Sequence, residues 1–470
     1  MIFGGETMRT KRSLFIVILV CGILLLAVQP GLAYPSHLDP RVLHAASIHR
    51  PADGLSWLPQ LSADGRFVTF SSLAGNLVRA DTNQAQDVFV YDRLLGKTER
   101  VSVASTGDQA NGDSAFSSIS ADGRYVAFCS AASNLVADDT NGFADVFVHD
   151  RQTGETRRVS VRSDGSQALA GGVDPMISAN GRFVVFRSNS NDLAPDDLWL
   201  EMGGFINVYV HDLQTGETWP VSLTFDHHAA NGDSDPASIS ADGQTIEFSS
   251  AANNLVPDDT NGFQDVFVHN TQAGAVEMVS RAIDSNPANE GSYGALTGLS
   301  ADGRYAAFSS KASNLVPADT NGATDIFVSD RQAGAVERVS LAPGGGEANA
   351  DSSLPSLSAD GRYVAFASRA SNLVPGDANQ LEDIFVHDRQ TGQTQRVSIA
   401  WDGAQANGLS NYAAISADGR FVAFVSAASN LVPGDTNRTE DVFLYDRQTG
   451  LTEIVSAGHP FLEYLPLIRR

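Results

Sequence analysis

The sequence predicts an all-β protein, a seven-bladed β-propeller with four antiparallel strands in each blade. Three observations support this prediction: a motif that recurs seven times, four short strand patterns in each repeat, and no long run of helical periodicity after residue 33. The motif S-A-D-G-R-[FY]-V-x-F, or a close variant, has its third residue at Asp64, Asp122, Asn180, Asp242, Asp302, Asp360 and Asp418. The repeats fill residues 55–457 and leave no room for a second large domain.

The second repeat shows how the four strands of a blade are predicted. The first strand covers 117–120 and the second covers 124–130, with a turn at Ala-Asp-Gly between them. A long loop leads to the third strand at 145–150, and a Gln-Thr-Gly turn leads to the fourth at 156–161. Both turns carry Gly beside Asp or Thr, as hairpins with a positive φ require. The second and third strands are apolar on both faces, which predicts sheets that are covered on both sides.

The N-terminus predicts an export signal over residues 1–33. Arg9, Lys11 and Arg12 precede an apolar run over 14–28, and Gly31-Leu32-Ala33 has the small-x-small pattern of a cleavage site. The apolar run is shorter than the roughly 20 residues that span a bilayer, which favours a cleaved signal over a permanent anchor. We therefore expect an exported protein, extracellular, at the cell surface or periplasmic, with no membrane span after cleavage.

Charge and cysteine content narrow the classes of partner. The net charge is −24 although the first 33 residues are basic, and a field of this sign argues against nucleic acid as a partner. Only Cys129 follows the signal, so the exported chain has no intramolecular disulfide.

Residues 34–54 are predicted as a loose lead-in, with a strand added to an outer blade edge as the alternative. Residues 458–470 form a separate C-terminal tail.

The motif S-A-D-G-R-[FY]-V-A-F, followed by D-[VI]-F-V-x-D, resembles the TolB-like, WD-type propeller repeats of bacterial exported proteins. The resemblance covers all seven repeats and implies the propeller fold. It implies no activity, because the family serves many roles. The chain has neither the extra N-terminal domain of the Pal-binding protein of that family nor the hydrolase domain of prolyl-oligopeptidase relatives, so neither function is carried over.

Six of the seven predicted blades contain a long loop with the pattern D-x-N-x-x-x-D, which the third blade lacks. Because the other turns are tight, both long connections are expected on one face of the ring, where binding groups usually lie. Oxygen ligands at this spacing resemble the first half of a calcium-binding loop, although the glycine and glutamate of such loops are missing. The alternative is that Asp and Asn bond local N–H groups as Asx-turns. The residues are Asp81, Asn83, Asp87; Asp139, Asn141, Asp145; Asp259, Asn261, Asp265; Asp319, Asn321, Asp325; Asp377, Asn379, Asp383; Asp435, Asn437 and Asp441.

Departures from the repeat indicate candidate binding residues. The third repeat has four additional residues in its long loop, with Trp199, Met202 and Phe205 predicted on the long-loop face. Trp57, Tyr293, Trp401 and Tyr412, with His227 and His228, are predicted near the mouth of the central channel. Aromatic and Met side chains are enriched at interfaces, and the alternative for all of them is packing against a neighbouring blade.

No catalytic residue is predicted. Residues present in every repeat serve the blade, because catalysis needs one asymmetric group of side chains, and no hydrolase, zinc or P-loop motif occurs. His149, His211, His269 and His387 share one strand position in four blades, so they are predicted to be packed side chains. Cys129 is predicted to be an inert small residue.

The sequence therefore predicts a monomeric binding or scaffolding module for a protein, peptide or glycan on the long-loop face. It assigns no cofactor, and calcium in the acidic loops is a candidate. The alternative is a propeller enzyme, a lyase or a glycoside-cleaving protein, that uses carboxylates unique to one blade near the channel. A third class is an inert calcium-stabilised part of a surface layer.

Overall fold

The computed structural model describes residues 51–458, which form seven blades of four antiparallel strands and confirm the predicted propeller. One parallel bridge between Thr297 and Ser356 joins two neighbouring blades into a single eight-stranded sheet. Blade 1 contains β1 (Ser56–Leu61), β2 (Phe67–Ser72), β3 (Asp87–Asp92) and β4 (Lys97–Arg100). Blade 2 contains β5 (Ser114–Ile119), β6 (Tyr125–Ser130), β7 (Asp145–Asp150) and β8 (Glu155–Arg158). Blade 3 contains β9 (Val173–Ile177), β10 (Phe183–Ser188), β11 (Asn207–Asp212) and β12 (Thr218–Pro220).

The remaining blades repeat this order. Blade 4 contains β13 (Ser234–Ile239), β14 (Thr245–Ser250), β15 (Asp265–Asn270) and β16 (Ala275–Met278). Blade 5 contains β17 (Ser292–Leu299), β18 (Tyr305–Ser310), β19 (Asp325–Asp330) and β20 (Ala335–Arg338). A short hairpin, β21 (Leu341–Ala342) and β22 (Gly346–Glu347), precedes blade 6, which contains β23 (Ser352–Leu357), β24 (Tyr363–Ser368), β25 (Asp383–Asp388) and β26 (Gln393–Arg396). Blade 7 contains β27 (Ser410–Ile415), β28 (Phe421–Ser426), β29 (Asp441–Asp446) and β30 (Leu451–Ile454), and one 3₁₀ turn covers Asn191–Leu193.

The recurring motif is explained by its hydrogen bonds in the first tight turn of each blade. In blade 1, Asp64 accepts hydrogen bonds from the Ser62 hydroxyl and from the Arg66 backbone N–H, while Gly65 has a φ of +67°. The Arg66 guanidinium then binds Asp92 at the end of β3 through two parallel hydrogen bonds. Six blades have this Arg–Asp pair; blade 4 has Gln244 and Asn270 instead. The motif therefore ties the inner hairpin to the third strand.

The inner strands line a central channel with a cavity of about 170 Å³, bounded by residues of all seven blades. A closed ring of backbone hydrogen bonds encircles the channel beside the tight turns. Ala63 N–H donates to Ala121 O, and the series passes through every blade until Ala417 N–H donates to Ala63 O at 3.0 Å. Because each blade donates once and accepts once, this ring fixes seven-fold closure in the backbone itself.

The hydrophobic core lies between neighbouring blades. Seven clusters of buried side chains each join residues of two adjacent blades, and the last cluster joins blade 7 to blade 1. Each blade also contains a stacked aromatic pair between its second and third strands, with ring centroids 5.7–6.1 Å apart. Packing of this kind stabilises blades only in a ring, since a single blade would expose both faces.

The ring closes without a blade shared between the two chain ends. Blade 1 is built entirely from the N-terminal side and blade 7 entirely from the C-terminal side. Residues 51–54, the described part of the predicted lead-in, take the place of an inter-blade link: Pro51 O accepts from Asn76 and Ala52 O accepts from Asn437. The predicted signal (1–33), residues 34–50 of the lead-in and residues 459–470 of the predicted tail lie outside the described residues.

The connections lie largely as predicted. The first-to-second and third-to-fourth strand turns are tight, and the second-to-third loops are on the opposite face. The links between blades differ from the prediction, because each one folds into a small hairpin along the outer edge of the next blade. In blade 2, for example, Ser105 of this hairpin exchanges hydrogen bonds with the backbone of Thr156. These hairpins cover outer strand edges that would otherwise be open to pairing with another chain.

Candidate functional site

The long-loop end of the channel, called the channel mouth below, is shaped by a bulge in the inner strands. Five of the seven inner strands have a non-glycine residue in the left-handed region at the same position, with φ between +51° and +55°. The residues are Leu58, Phe116, Asp174, Leu354 and Tyr412. The left-handed region costs a residue with a Cβ roughly 1–2 kcal/mol, so repetition of this strain at one place indicates a role for the side chains that it orients.

An arc of exposed phenylalanines extends the channel mouth over blades 2, 3 and 4. Phe143, Phe205 and Phe263 stand at one position of the long loop, two residues before the third strand. The residue after each Phe accepts a backbone hydrogen bond from the start of the next blade, such as Gly172 N–H to Ala144 O at 3.0 Å. The exposed fractions of Phe116, Tyr412, Leu354 and these three Phe side chains lie between 36% and 55%. The mouth is thus rimmed by large apolar side chains.

One sector of the channel mouth is charged. Arg187 of β10 forms ion pairs of 2.6 Å with Asp174 of blade 3 and with Asp235 of blade 4. Burial raises the pKa of Asp174, and the Arg187 guanidinium opposes that shift. The three residues occur at these positions in these blades only, and together they carry a net charge of −1.

Blade 4 also contains a buried carboxyl group that no repeat pattern predicts. Glu247 of β14 is fully buried, and neither of its oxygens has a hydrogen-bond partner. Burial raises the pKa of Glu247 well above its usual range. Gly298 leaves the space that the carboxyl fills, since a Cβ at Gly298 would lie 2.5 Å from Glu247 Oε2.

The acidic loops form the predicted Asx-turns in all six blades. The Asn side-chain oxygen accepts the N–H two residues further on, and its amide donates to the last Asp of the pattern. In four blades an arginine from the fourth strand also lies between the two aspartates, 3.0–3.3 Å from the first and 3.2–3.7 Å from the second. These arginines are Arg100, Arg158, Arg338 and Arg396.

The arginines change the interpretation of these loops. In blades 1, 2, 5 and 6 the guanidinium occupies the place in which a calcium ion was predicted, so the chain supplies its own cation there. The aspartates are largely buried, and they form no exposed acidic rim. Blades 4 and 7 have Met278 and Ile454 at the arginine position. Burial raises the pKa of Asp259 in blade 4 and of Asp441 in blade 7 to about 6.

The predicted binding residues lie in different parts of the structure and do not form one surface. Tyr412 lies at the channel mouth, Tyr293 is about half exposed at the start of β17, and Trp199 and Phe205 are exposed on the blade 3 loop. The prediction for Met202 is wrong: its side chain is fully buried among Leu193, Ala194 and Tyr209, where it anchors the inserted loop. Trp57 is partly buried against the cluster that joins blades 7 and 1.

The predicted location of Trp401 and His227 at the channel mouth is also wrong. Both stand in link hairpins, which lie along outer edges, and the His227 ring lies beside Gly274 in an outer turn of blade 4. His228 belongs to the same hairpin and pairs with Glu201 of the blade 3 loop at 2.9 Å. Sequence reasoning assumed that links stay on the long-loop face and therefore misplaced these side chains.

The repeated histidines and the cysteine are packed, as predicted. The four histidines are 5–7% exposed, and three of them contact a threonine hydroxyl through Nδ1. Burial lowers the pKa of His211 and of His269 to about 4. Burial also raises the pKa of the Cys129 thiol to about 12, so it is protonated near neutral pH.

Four residues of the channel mouth, Phe116, Leu354, Phe143 and Phe263, were not among the predicted binding residues. Their positions could be read from the sequence, because each residue lies at a fixed distance from the repeat motif. Residues at such repeated positions were predicted to pack within the blades. The backbone bulge that turns Phe116 and Leu354 towards solvent cannot be inferred from the residue pattern. Within residues 51–458, no three His, Cys, Asp or Glu side chains converge as metal ligands, and no helix is long and apolar enough to cross a membrane.

The fold and this site define a class of protein, a single-ring propeller with an apolar channel mouth. Neither a protein-family model nor a curated protein matches the chain. Among solved structures, an acylaminoacyl peptidase from Pyrococcus horikoshii is 12% identical, with a TM-score of 0.51 over 86% of this chain and 52% of that one. A prolyl endopeptidase structure is 13% identical, with a TM-score of 0.51 over 88% and 51% of the two chains. TolB from Acinetobacter baumannii is 15% identical, with a TM-score of 0.40 over 84% and 82%.

These similarities concern the fold alone. The chain spans about half the length of the two peptidases that it matches, so their activities are not carried over.

Proposed function

We propose that the protein is an exported, non-catalytic binding module that holds a segment of a partner protein at the channel mouth. The observation that carries this proposal is the strained bulge, which recurs in five blades and presents Leu58, Phe116, Leu354 and Tyr412 at one end of the channel. Strain that recurs at one position of a scaffold supports a role for the side chains that it presents. Large exposed apolar side chains that cluster on one surface favour a protein ligand.

The charged sector of the channel mouth favours a ligand that carries a positive charge. Asp174, Arg187 and Asp235 carry a net negative charge beside the apolar rim. A peptide segment with large apolar side chains and a basic residue would complement both parts of the channel mouth. A glycan would place hydroxyl groups against leucine and phenylalanine side chains, which offer it few hydrogen bonds.

The enzyme alternative requires two carboxylates that are unique to one blade and lie near the channel on the long-loop face. Asp174 and Asp235 come closest to this requirement, but they belong to different blades and share the guanidinium of Arg187. Glu247 is fully buried and does not reach solvent. The geometry therefore favours binding over acid–base chemistry.

A peptide array and a glycan array, probed with the full chain, test the proposal. We expect basic–apolar peptides to bind, and the double variant Phe116→Asn/Tyr412→Asn to lose at least about tenfold in affinity, since each apolar anchor contributes roughly 1 kcal/mol or more. Asn tolerates the left-handed region, so the backbone is kept. Leu95→Asn is the control, because Leu95 is 70% exposed on the opposite face. Equal loss in both variants, or binding to glycans alone, would contradict the proposal.

A further inference from the structure

The acidic loops share one layout, and a single position distinguishes them. This position lies on the fourth strand, where its residue pairs with the phenylalanine of the third strand. In blade 1 the residue is Arg100, paired with Phe89. Blades 2, 5 and 6 have Arg158, Arg338 and Arg396 at the same position. Each of these side chains is only 8–12% exposed and forms ion pairs with both aspartates of its loop. In blade 4 the same register places Met278 opposite Phe267.

Loss of the arginine leaves a buried carboxylate without a partner. Asp259 of blade 4 is 7% exposed, and neither of its carboxylate oxygens makes a hydrogen bond. The second aspartate, Asp265, is fully buried and accepts hydrogen bonds from Ser280 at 2.7 Å and from Asn261 at 2.6 Å. Two neighbouring carboxylates in the interior with no cation in direct contact are costly, so this loop has a place for a cation.

The nearest arginine does not fill this need. Arg281 donates two hydrogen bonds to the exposed Asp258, at 2.8 and 2.9 Å, and a third to the Ser285 carbonyl. It makes no ion pair with Asp259 or Asp265. Met278 is buried in the apolar cluster between blades 3 and 4 and brings no charge.

We propose that the blade 4 loop binds a calcium ion through the carboxylates of Asp259 and Asp265, in the place that the arginine guanidinium takes in blades 1, 2, 5 and 6. Both ligands are hard carboxylate oxygens, which calcium accepts in irregular arrangements completed by carbonyls and water. The thioether of Met278 is a soft group and no ligand for such an ion. Two protein carboxylates suit the weaker class of extracellular sites, with a Kd of about 10⁻⁴–10⁻³ M.

Blade 7 provides an internal comparison. Ile454 takes the arginine position there, but Asp435 is only partly buried and leaves one oxygen without a partner. The proposal is limited to blade 4, where the whole carboxylate of Asp259 lacks a partner.

Thermal melts and calorimetric titration of the full chain with calcium chloride test the site. We expect millimolar calcium to raise the Tm by about 1–2 °C over a chelator control, and the variant Asp259→Asn to abolish one calcium-binding event. Met278→Arg should raise the Tm in chelator and remove the same event, because it supplies the cation of the other blades. Arg281→Gln, the control, keeps both carboxylates and should keep the binding event.

The converse variant tests the same geometry in another blade. Arg338→Met removes the guanidinium between Asp319 and Asp325, so it should lower the Tm in chelator and gain one calcium-binding event. Superimposable melts of the unmodified chain with calcium and with chelator would overturn the proposal. An unchanged number of bound calcium ions in Asp259→Asn would also overturn it, and this readout remains decisive if Met278→Arg fails to fold.

Discussion

At the scale of single residues, the side chains with unusual surroundings lie at positions where one repeat differs from the others. Glu247 stands where other blades have Ala, Val or Thr, and Gly294 and Gly298 of the neighbouring inner strand make room for it. Its carboxyl group has no partner, so the folded chain favours the protonated form. A carboxyl whose pKa is raised in the folded state stabilises the fold below its unfolded pKa and loses that contribution as the pH rises towards the folded pKa.

We therefore predict that Glu247→Gln increases stability at pH 8 and leaves it nearly unchanged at pH 4. The amide keeps the shape of the side chain and carries no charge to bury. Chemical denaturation at the two pH values measures the difference. A decrease in stability at pH 8 would show that the carboxylate has a partner in solution and would contradict the buried, unpaired state.

Sequence reasoning predicts residues of this kind poorly. The repeat identified the blade, the turns and the Asx-turns, because these depend on local chemistry that recurs seven times. The partner of an aspartate such as Asp81 could not be inferred, because Arg100 lies on another strand and contacts it only after the sheet forms. The bulge at Phe116 was hidden for a similar reason, since an apolar residue in a strand gives no signal of a positive φ.

At the scale of the blade, the Arg–Asp pair at the tight turn ties the inner hairpin to the third strand. Arg362 donates to both oxygens of Asp388 and lies 4.8 Å over the Tyr363 ring. The Arg362 hydrogen bonds, the largest cause, lower the pKa of Asp388 to about 2. Arg362 is about one-third exposed, so solvent screening reduces the energy of this pair.

A double-mutant cycle with Arg362→Gln and Asp388→Asn should show a stabilising coupling energy between the two side chains, reduced by solvent screening. Blade 4 provides the matched control, because the same pair is replaced there by Gln244 and Asn270. Introducing Gln244→Arg together with Asn270→Asp should increase stability, whereas Asn270→Asp alone should not. Additive single effects in blade 6 would show that the pair does not hold the hairpin to the third strand.

At the scale of the whole molecule, the ring depends on one junction that no peptide link spans. Six pairs of neighbouring blades are joined by a segment of the chain, whereas blades 7 and 1 meet only through non-covalent contacts. Arg93 lies 4.2 Å over the Phe421 ring and 3.8 Å from Glu453 across this junction. Arg151 makes the same contacts with Phe67 and Glu99 between blades 1 and 2, where the chain is continuous.

We predict that Arg93→Gln accelerates unfolding more than Arg151→Gln does. The two changes remove contacts at corresponding positions, and the ion pair of Arg151 is the closer of the two, at 2.5 Å. Only the first change weakens a junction whose halves are separated by the whole chain, so reclosure carries a larger entropy cost. Unfolding rates in denaturant measure the difference. Equal rates in the two variants would mean that the ring does not open first between blades 7 and 1.

The proposed peptide-binding surface consists of the bulged inner strands at the channel mouth. Hydrogen–deuterium exchange of the full chain, with and without a peptide selected on the array, tests this proposal. We expect slower exchange in β5, β23 and β27, which carry Phe116, Leu354 and Tyr412, and no change in the turn at residues 93–96 on the opposite face. Protection confined to the tight-turn face or to the outer link hairpins would contradict it.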